Sequence, residues 1–325
     1  MKTFTYARAD SVEEALAALA EPGTQLMAGG TELVNWLKEG IEQPDRLVDI
    51  TRLPLRGIEE AHVLRIGALT TMSEVQASPW VRRNYPVLAE SLLRAASPQL
   101  RNMATIGGNL QQRTRCPYFR SDTPVPCNKR EPGSGCSALS GETGGLAIFG
   151  WSEQCVATHP SDLAVALAAL DATIVVRSAE GERRIPATEF HTLPGDEPAR
   201  TTELRPDELI VAVELPYIAP NSFYLKVRER VSYEFAVVSA AAAVSLAGNE
   251  IASAHVALGG VAHRPWRLTA AEAALSGVAI DDKAALGRAI EQSFVDARPL
   301  AGNEYKVILA QRAAVRALMT AGGAV

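Results

Sequence analysis

The chain has 325 residues, of which 47% are hydrophobic and 21% charged, a composition typical of a globular protein with room for two or three domains. Its formal net charge is −5 and its sequence pI about 5.7. No Lys/Arg-rich stretch is interleaved with aromatic residues, so the composition argues against a nucleic-acid partner.

The first hundred residues alternate between helical and extended patterns. Ser11 and Glu14 form a capping-box pattern that predicts a helix to about Ala20. The segment TQLMAGGTEL predicts a short strand, a Gly-Gly turn and a helix from about Thr31. RLVDI and LRIGAL predict two more strands, residues 86–95 a helix, and ATIGGNL a second Gly-Gly turn.

Regular patterns return at Ser161, which predicts a capped helix to Leu170, followed by the strands ATIVVRS and LIVAVELP. FYLKVRER, FAVVSAAAAVSLAG and IASAHVALGGVA then predict three consecutive antiparallel strands. Thr269 and Glu272 form a second capping-box pattern, with helices expected near 269–276, 281–293 and 303–321. The longest apolar run, residues 235–248, is too short for a membrane span and predicts a buried strand.

Two Gly-Gly segments could bring the backbone close to a ligand. Residues 26–32 place a strand, two glycines and a helix start in order, so that backbone N–H groups could approach a pyrophosphate. In the second segment, residues 104–109, Thr105 and Asn109 add polar side chains. Either segment could equally be a simple turn, and the first matches neither G-x-G-x-x-G nor the P-loop. Two such segments in one domain favour convergence on one elongated ligand.

All four cysteines, Cys116, Cys127, Cys136 and Cys155, fall in one irregular block, residues 111–160. An unstructured stretch of this length inside a compact domain calls for something that orders it. A four-thiolate iron–sulfur cluster would do so. A zinc site without C-x2-C pairs, two disulfides, or four thiols with no shared role also fit the spacing.

Outside that block the chemical signals are weak. Asp162 could be a helix-cap residue or a functional carboxylate, and the alternation around Lys226 predicts a solvated side chain. The five histidines are scattered and no nucleophile–base motif is present, so we expect no catalytic acid or base on this chain.

Taken together, MAGGTEL, ATIGGNL, HPSDLAVALAALDA, LIVAVELP and FYLKVRER resemble the FAD-binding subunits of the xanthine dehydrogenase and carbon monoxide dehydrogenase family. The resemblance implies an α+β fold: a two-subdomain FAD-binding domain of the p-cresol methylhydroxylase and vanillyl-alcohol oxidase type at 1–220, and a C-terminal domain at 221–325 with a three-stranded antiparallel sheet and helices. The block QRTRCPYFRSDTPVPCNKREPGSGCSALSG, with FGWSEQC and THPSD, resembles the FAD subunit of the three-subunit bacterial aldehyde oxidoreductase. There the insertion, here 111–160, binds a 4Fe–4S cluster.

The resemblance also implies binding residues, which we name by position in this sequence. The FAD pyrophosphate would lie on Leu26, Met27, Ala28, Gly29, Gly30, Thr31, Glu32 and Leu33. Many relatives have Asp in place of Glu32. The flavin side or the ribityl phosphate would contact Thr105, Gly108, Asn109 and Asp162, with Ile210 flanking the isoalloxazine and Lys226 near its polar edge. The cluster ligands would be Cys116, Cys127, Cys136 and Cys155.

The resemblance implies an electron-transfer flavoprotein subunit of a molybdenum-dependent aldehyde oxidoreductase. Its partners would be a molybdenum-cofactor subunit, a subunit with two 2Fe–2S clusters and an external electron acceptor. A non-redox binding module with a zinc-stabilised cysteine loop is the alternative. The start of the chain shows no export signal, so we expect a cytoplasmic protein unless a signal-bearing partner carries it to the periplasm.

Overall fold

The computed structural model describes residues 1–61 and 63–325, and its first layer is a small parallel sheet with the strand order β1-β3-β2. Its elements are β1 (Thr5–Arg8), α1 (Val12–Leu19), β2 (Thr24–Met27), α2 (Leu33–Lys38) and β3 (Arg46–Asp49). The predicted start of α1 is confirmed, because the Ser11 hydroxyl accepts a bond from the Glu14 N–H. The Glu14 carboxylate bonds the N–H of Asp10 instead of closing the capping box on Ser11.

A five-stranded antiparallel sheet with the order β4-β5-β8-β6-β7 follows. Its strands are β4 (Ile58–Glu60), β5 (Leu64–Gly67), β6 (Thr173–Ser178), β7 (Gly181–Pro186) and β8 (Leu209–Leu215). The helices between its strands are α3 (Met72–Ala77), α4 (Pro79–Asn84), α5 (Pro86–Arg94), α6 (Pro98–Arg101), α7 (Ile106–Leu110), α8 (Asp162–Ala169) and α9 (Ala187–Phe190). Every residue of α8 is buried, and all of them except Asp162 are apolar, as expected for a helix in a core.

The C-terminal part contains an antiparallel sheet with the order β12-β11-β10-β9. Its strands are β9 (Ser222–Val227), β10 (Val238–Ala247), β11 (Glu250–Gly259) and β12 (Trp266–Arg267), and its helices are α10 (Thr269–Leu275), α11 (Lys283–Glu291) and α12 (Tyr305–Ala321). The three predicted strands are confirmed, and the two-residue β12 makes a fourth. The second capping box was wrong: Thr269 is the first residue of α10, and Glu272 accepts bonds from Arg267 and from the N–H of Val256.

The cysteine block, residues 111–160, connects α7 to α8 and is irregular, as predicted. Its regular structure is one 3₁₀ turn at Ser137–Ser140 and isolated bridges. The block has a small core of its own, in which Phe119 and Val156 pack with the cysteines. Across the described ranges, no helix combines the length and apolarity needed to cross a bilayer.

Candidate flavin site and cysteine cluster

A cavity of about 920 Å³ opens where the end of β2, α7 and β8 meet. This volume is at the upper end of the range for cofactor and ligand sites. Twelve of the predicted binding residues line it: Leu26, Ala28, Gly29, Gly30, Thr31, Glu32, Leu33, Thr105, Gly108, Asn109, Asp162 and Ile210. Met27 packs against the small core beside α2, and Lys226 lies behind Asp162. The structure therefore brings both Gly-Gly segments to one space.

The first Gly-Gly segment is a loop from β2 to α2, which begins at Leu33, two residues later than predicted. Gly30 has a φ of +69°, a left-handed backbone conformation that residues other than glycine rarely adopt. A Cβ on Gly29 would lie 1.8 Å from the carbonyl oxygen of Met103. One glycine is therefore needed for the turn and the other for close contact with the segment before α7.

This loop leaves a row of backbone donors free. None of the five consecutive N–H groups of residues 29–33 donates a hydrogen bond to an acceptor in the described part of the chain. Successive unbonded N–H groups in a concave loop attract anions. A pyrophosphate needs hydrogen-bond donors for its oxygens, and these N–H groups on the cavity wall could supply them.

The second Gly-Gly segment is not the predicted turn, because Gly107 and Gly108 lie inside α7. The N–H of Gly107 bonds the carbonyl of Ala68, and that of Gly108 bonds the Thr105 hydroxyl. A Cβ on Gly107 would come within 3.0 Å of the Cβ of Ala68, so this glycine serves close packing against the end of β5. The segment contributes shape and side chains to the cavity, whereas most of its backbone donors are already bonded.

The expectation that Lys226 is solvated was wrong, because α5 covers this part of β9. The Lys226 ammonium lies 2.8 Å from Oδ2 of Asp162 and donates to the carbonyl of Arg94. The Tyr224 hydroxyl donates to Oδ1 of the same carboxylate at 2.5 Å. Burial raises the pKa of Asp162, and the Lys226 charge opposes that shift. Two hydrogen bonds, from Tyr224 and Lys226, therefore fix the Asp162 carboxylate on the cavity wall.

The four cysteines are free thiols gathered around one small cavity in the block. Cys116, Cys127 and Cys155 are buried, and Cys127 faces Cys136 across an antiparallel bridge. Burial raises the pKa of Cys155 to about 11, and the nearby Lys129 ammonium opposes the shift. The fold therefore assembles all four predicted ligands from a segment with almost no regular structure.

The donor set of four thiols without a disulfide is the one that a four-thiolate cluster requires. The cavity between the thiols measures only about 10 Å³, room for about one water, so a cluster requires the side chains to turn outward. Over residues 1–61 and 63–325, no group of three or more His, Cys, Asp or Glu side chains has an arrangement that could hold a metal ion.

Sequence reasoning missed three histidines that the fold brings together. The rings of His159 and His191 lie with their centroids 3.9 Å apart and their planes tilted by 41°, and His263 is close enough to lower the pKa of His159 further. Burial lowers the pKa of His191 to about 4 despite a bond to the Leu110 carbonyl. These residues are far apart in sequence, so no local pattern could have identified them.

Reasoning from the sequence also missed the arginines that join the cysteine block to the flavin cavity. Arg115 lines the cavity and lies 2.6 Å from Oε2 of Glu32, and its guanidinium stacks 4.4 Å from the ring centre of Phe235. Arg120 bonds the same Glu32 carboxylate. The only available signal was an arginine-rich block in a chain whose α2 region carries three glutamates.

Matches to two protein families, one after the other along the sequence, together cover nearly the whole chain. Residues 2–218 match the FAD binding domain in molybdopterin dehydrogenase, and residues 223–321 match the CO dehydrogenase flavoprotein C-terminal domain. The chain is 49% identical to the aldehyde oxidoreductase FAD-binding subunit PaoB of Escherichia coli K12, over 96% of each chain. It is 29% identical to the glyceraldehyde dehydrogenase medium chain of Sulfolobus acidocaldarius, over 86% of this chain and 83% of the relative.

The architecture is also similar to solved structures. Carbon monoxide dehydrogenase from Hydrogenophaga pseudoflava superposes with a TM-score of 0.75 at 28% identity, covering 99% of this chain and 97% of that one. These similarities give no support to a non-redox zinc module.

Proposed function

This chain belongs to the family of FAD-binding subunits of the molybdenum hydroxylases, and we propose that it serves a molybdenum-dependent aldehyde oxidoreductase. In that role it passes electrons that leave the substrate on partner chains through FAD to an external acceptor. The aldehyde substrate is proposed from the name of the relative that shares 49% of its residues. Bound FAD supplies the redox chemistry, and this chain supplies binding, orientation and electrostatics.

The observation that carries the proposal is the row of free N–H groups at residues 29–33 on the wall of a 920 Å³ cavity. We assign the FAD pyrophosphate to residues 26–33, where those donors would bond its oxygens. Met27 contributes by holding the loop, since its side chain packs away from the cavity.

The remainder of the cavity would hold the flavin side of the cofactor. Thr105, Gly108 and Asn109 form one wall and Ile210 another, which suits a planar ring against an apolar side chain. Asp162 is held in place by Tyr224 and Lys226, so it can accept a hydrogen bond from the flavin or the ribityl chain. Lys226 is then a positioning residue that acts through Asp162.

We propose in addition that Cys116, Cys127, Cys136 and Cys155 hold a 4Fe–4S cluster. Four free thiols converge in a block that has little other means of ordering itself, and Lys129 places a positive charge beside them. A cluster held by thiolates carries net negative charge, which a buried ammonium stabilises.

The proposed partners are a molybdenum-cofactor subunit and a subunit with two 2Fe–2S clusters. Relatives of this chain are named as FAD-binding subunits or medium chains, which are parts of larger enzymes. Co-export with a signal-bearing partner would place the complex in the periplasm.

Release of the flavin tests the proposal. The purified chain should be yellow, and mild denaturation should release FAD in about a 1:1 ratio to protein, without FMN, because only the dinucleotide has a pyrophosphate. Binding should be non-covalent, so all flavin should appear in the supernatant after precipitation. A colourless protein that does not take up FAD would contradict the proposal.

A further inference from the structure

The carboxylate of Glu32 joins the flavin cavity to the cysteine block. Glu32 precedes α2, lines the cavity and accepts a bond from Nε1 of Trp36 at 2.9 Å. Its two oxygens also face Arg115, at 2.6 Å, and Arg120, both from the cysteine block. A single carboxylate beside the proposed pyrophosphate loop is therefore neutralised from a different segment of the chain.

The same segment is attached to α2 by further ion pairs. Arg120 also lies 2.9 Å from Glu39, and Arg113 lies 2.5 Å from Glu42. Three arginines of the block thus balance three glutamates, one just before α2 and two just after it. Glu32 itself belongs to the loop that carries the free N–H groups, whereas Glu39 and Glu42 follow α2 in the chain.

The pairing of Glu32 with two arginines affects how well the cavity can bind an anionic ligand. A pyrophosphate carries negative charge, and an uncompensated carboxylate on the same loop would repel it across a partly desolvated cavity. Two guanidinium groups beside the Glu32 carboxylate cancel that repulsion. Arg115 also has a buried Nε–H without a hydrogen-bond partner in the described part of the chain, so one charged donor remains available.

We infer that Arg115 and Arg120 of the cysteine block are FAD-positioning residues that neutralise Glu32 beside the pyrophosphate loop. The inference rests on the proposed placement of FAD. It makes the cysteine block part of the flavin site as well as the proposed cluster site, and it explains why the block folds back over α2.

Charge removal and restoration test this inference in the purified holoprotein. Arg120→Met should weaken FAD retention about tenfold, measured as the rise of free-flavin fluorescence on dilution, because Glu32 regains unbalanced charge. Adding Glu32→Gln to Arg120→Met should restore retention to within about threefold of the wild type, since the repulsive charge is then gone. Damage to the fold of the block would not be repaired by that second change.

Arg130→Met is the matched control, because Arg130 also belongs to the cysteine block and donates to the Glu39 carbonyl after α2, but in the part of the chain that the structure describes it neither bonds Glu32 nor lines the cavity. It should retain FAD within about threefold of the wild type. Unchanged retention in Arg120→Met, or a double variant no better than Arg120→Met, would overturn the inference. A wild-type chain that holds no FAD would instead refute the placement of FAD itself.

Discussion

At the scale of single residues, Gly30 determines the path of the loop from β2 to α2. Its φ of +69° is strained for any residue with a branched Cβ, at a cost of about 1–3 kcal/mol. Added methyl groups would also crowd Val34 and Met27, whose side chains lie 3.4 and 3.7 Å from an ideal Cβ. The free N–H groups of residues 29–33 depend on this turn.

Gly30→Val should therefore abolish FAD retention, measured as the ratio of flavin to protein absorbance after gel filtration. Gly248→Val is a matched control, because Gly248 has a similar φ of +66° in the turn between β10 and β11 and no neighbour within 4 Å of an ideal Cβ. The control should lose stability but keep its flavin. Normal flavin content in Gly30→Val would place the pyrophosphate elsewhere.

The buried His191 makes stability depend on pH. Its pKa is about 4 in the folded protein and about 6.5 when exposed, so between these values the unfolded chain binds more protons. Stability should therefore fall as the pH falls from about 6.5 to 4, by on the order of 3 kcal/mol in total from this group. His191→Gln should flatten this dependence, measured by urea unfolding at pH 7 and pH 5.

His255 provides a comparison of opposite sign. Its bond to Asp171, at 2.9 Å, raises its pKa, so its stabilisation is present at low pH and is lost as the pH rises. His255→Gln should therefore be more harmful at pH 5 than at pH 7.5. Equal effects of His191→Gln at both pH values would show that His191 does not titrate as a buried group.

At the scale of elements, the cysteine block has the clearest chemical test. Anaerobically purified protein should contain about four irons and four sulfides per chain, the content of a cluster held by four thiolates. Cys127→Ser should lose this iron and make residues 111–160 more susceptible to proteolysis. Ser121→Ala removes a half-buried hydroxyl whose hydrogen bonds, among the described residues, all join Thr123, and this variant should keep its iron. Stoichiometric zinc with no iron in fresh protein would contradict the cluster.

Many strands were predictable from the sequence, including the four-residue β2, β3 and β5, whereas the very short helix α7 was not. The apolar runs of β8, β10 and β11 identify buried strands because their length and composition suffice. In contrast, α7 has five residues, less than two turns, so its two glycines indicated a turn. Local patterns carry too little information about helices this short.

The candidate site likewise combines features that local sequence patterns predicted with contacts that they did not. Glycines and a helix start pointed to the loop at residues 26–33, because those features are local. The arginine partners of Glu32 lie more than eighty residues away, and Lys226 is buried because α5 packs over β9. Contacts of this kind depend on tertiary packing, which a single sequence does not reveal.

At the scale of the whole molecule, the part of the chain before β9 and the C-terminal sheet share a hydrophobic core. Helix α8 lies against β10 and β11, and Tyr224 and Ala241 of the C-terminal sheet belong to the same buried cluster as Leu163. Asp162 at the start of α8 and Lys226 in β9 meet across this junction. The flavin cavity is therefore built by both parts and by the cysteine block together.

We expect this chain to transfer electrons through FAD without oxidising the substrate itself. The most direct test is the flavin absorbance after aldehyde is added under anaerobic conditions. The isolated chain should be bleached by a chemical reductant and reoxidised by an artificial acceptor, yet remain unchanged with aldehyde. Reconstituted with a molybdenum-cofactor subunit and a two-cluster 2Fe–2S subunit, it should be bleached by aldehyde. Aldehyde-dependent bleaching of the isolated, molybdenum-free chain would contradict the account.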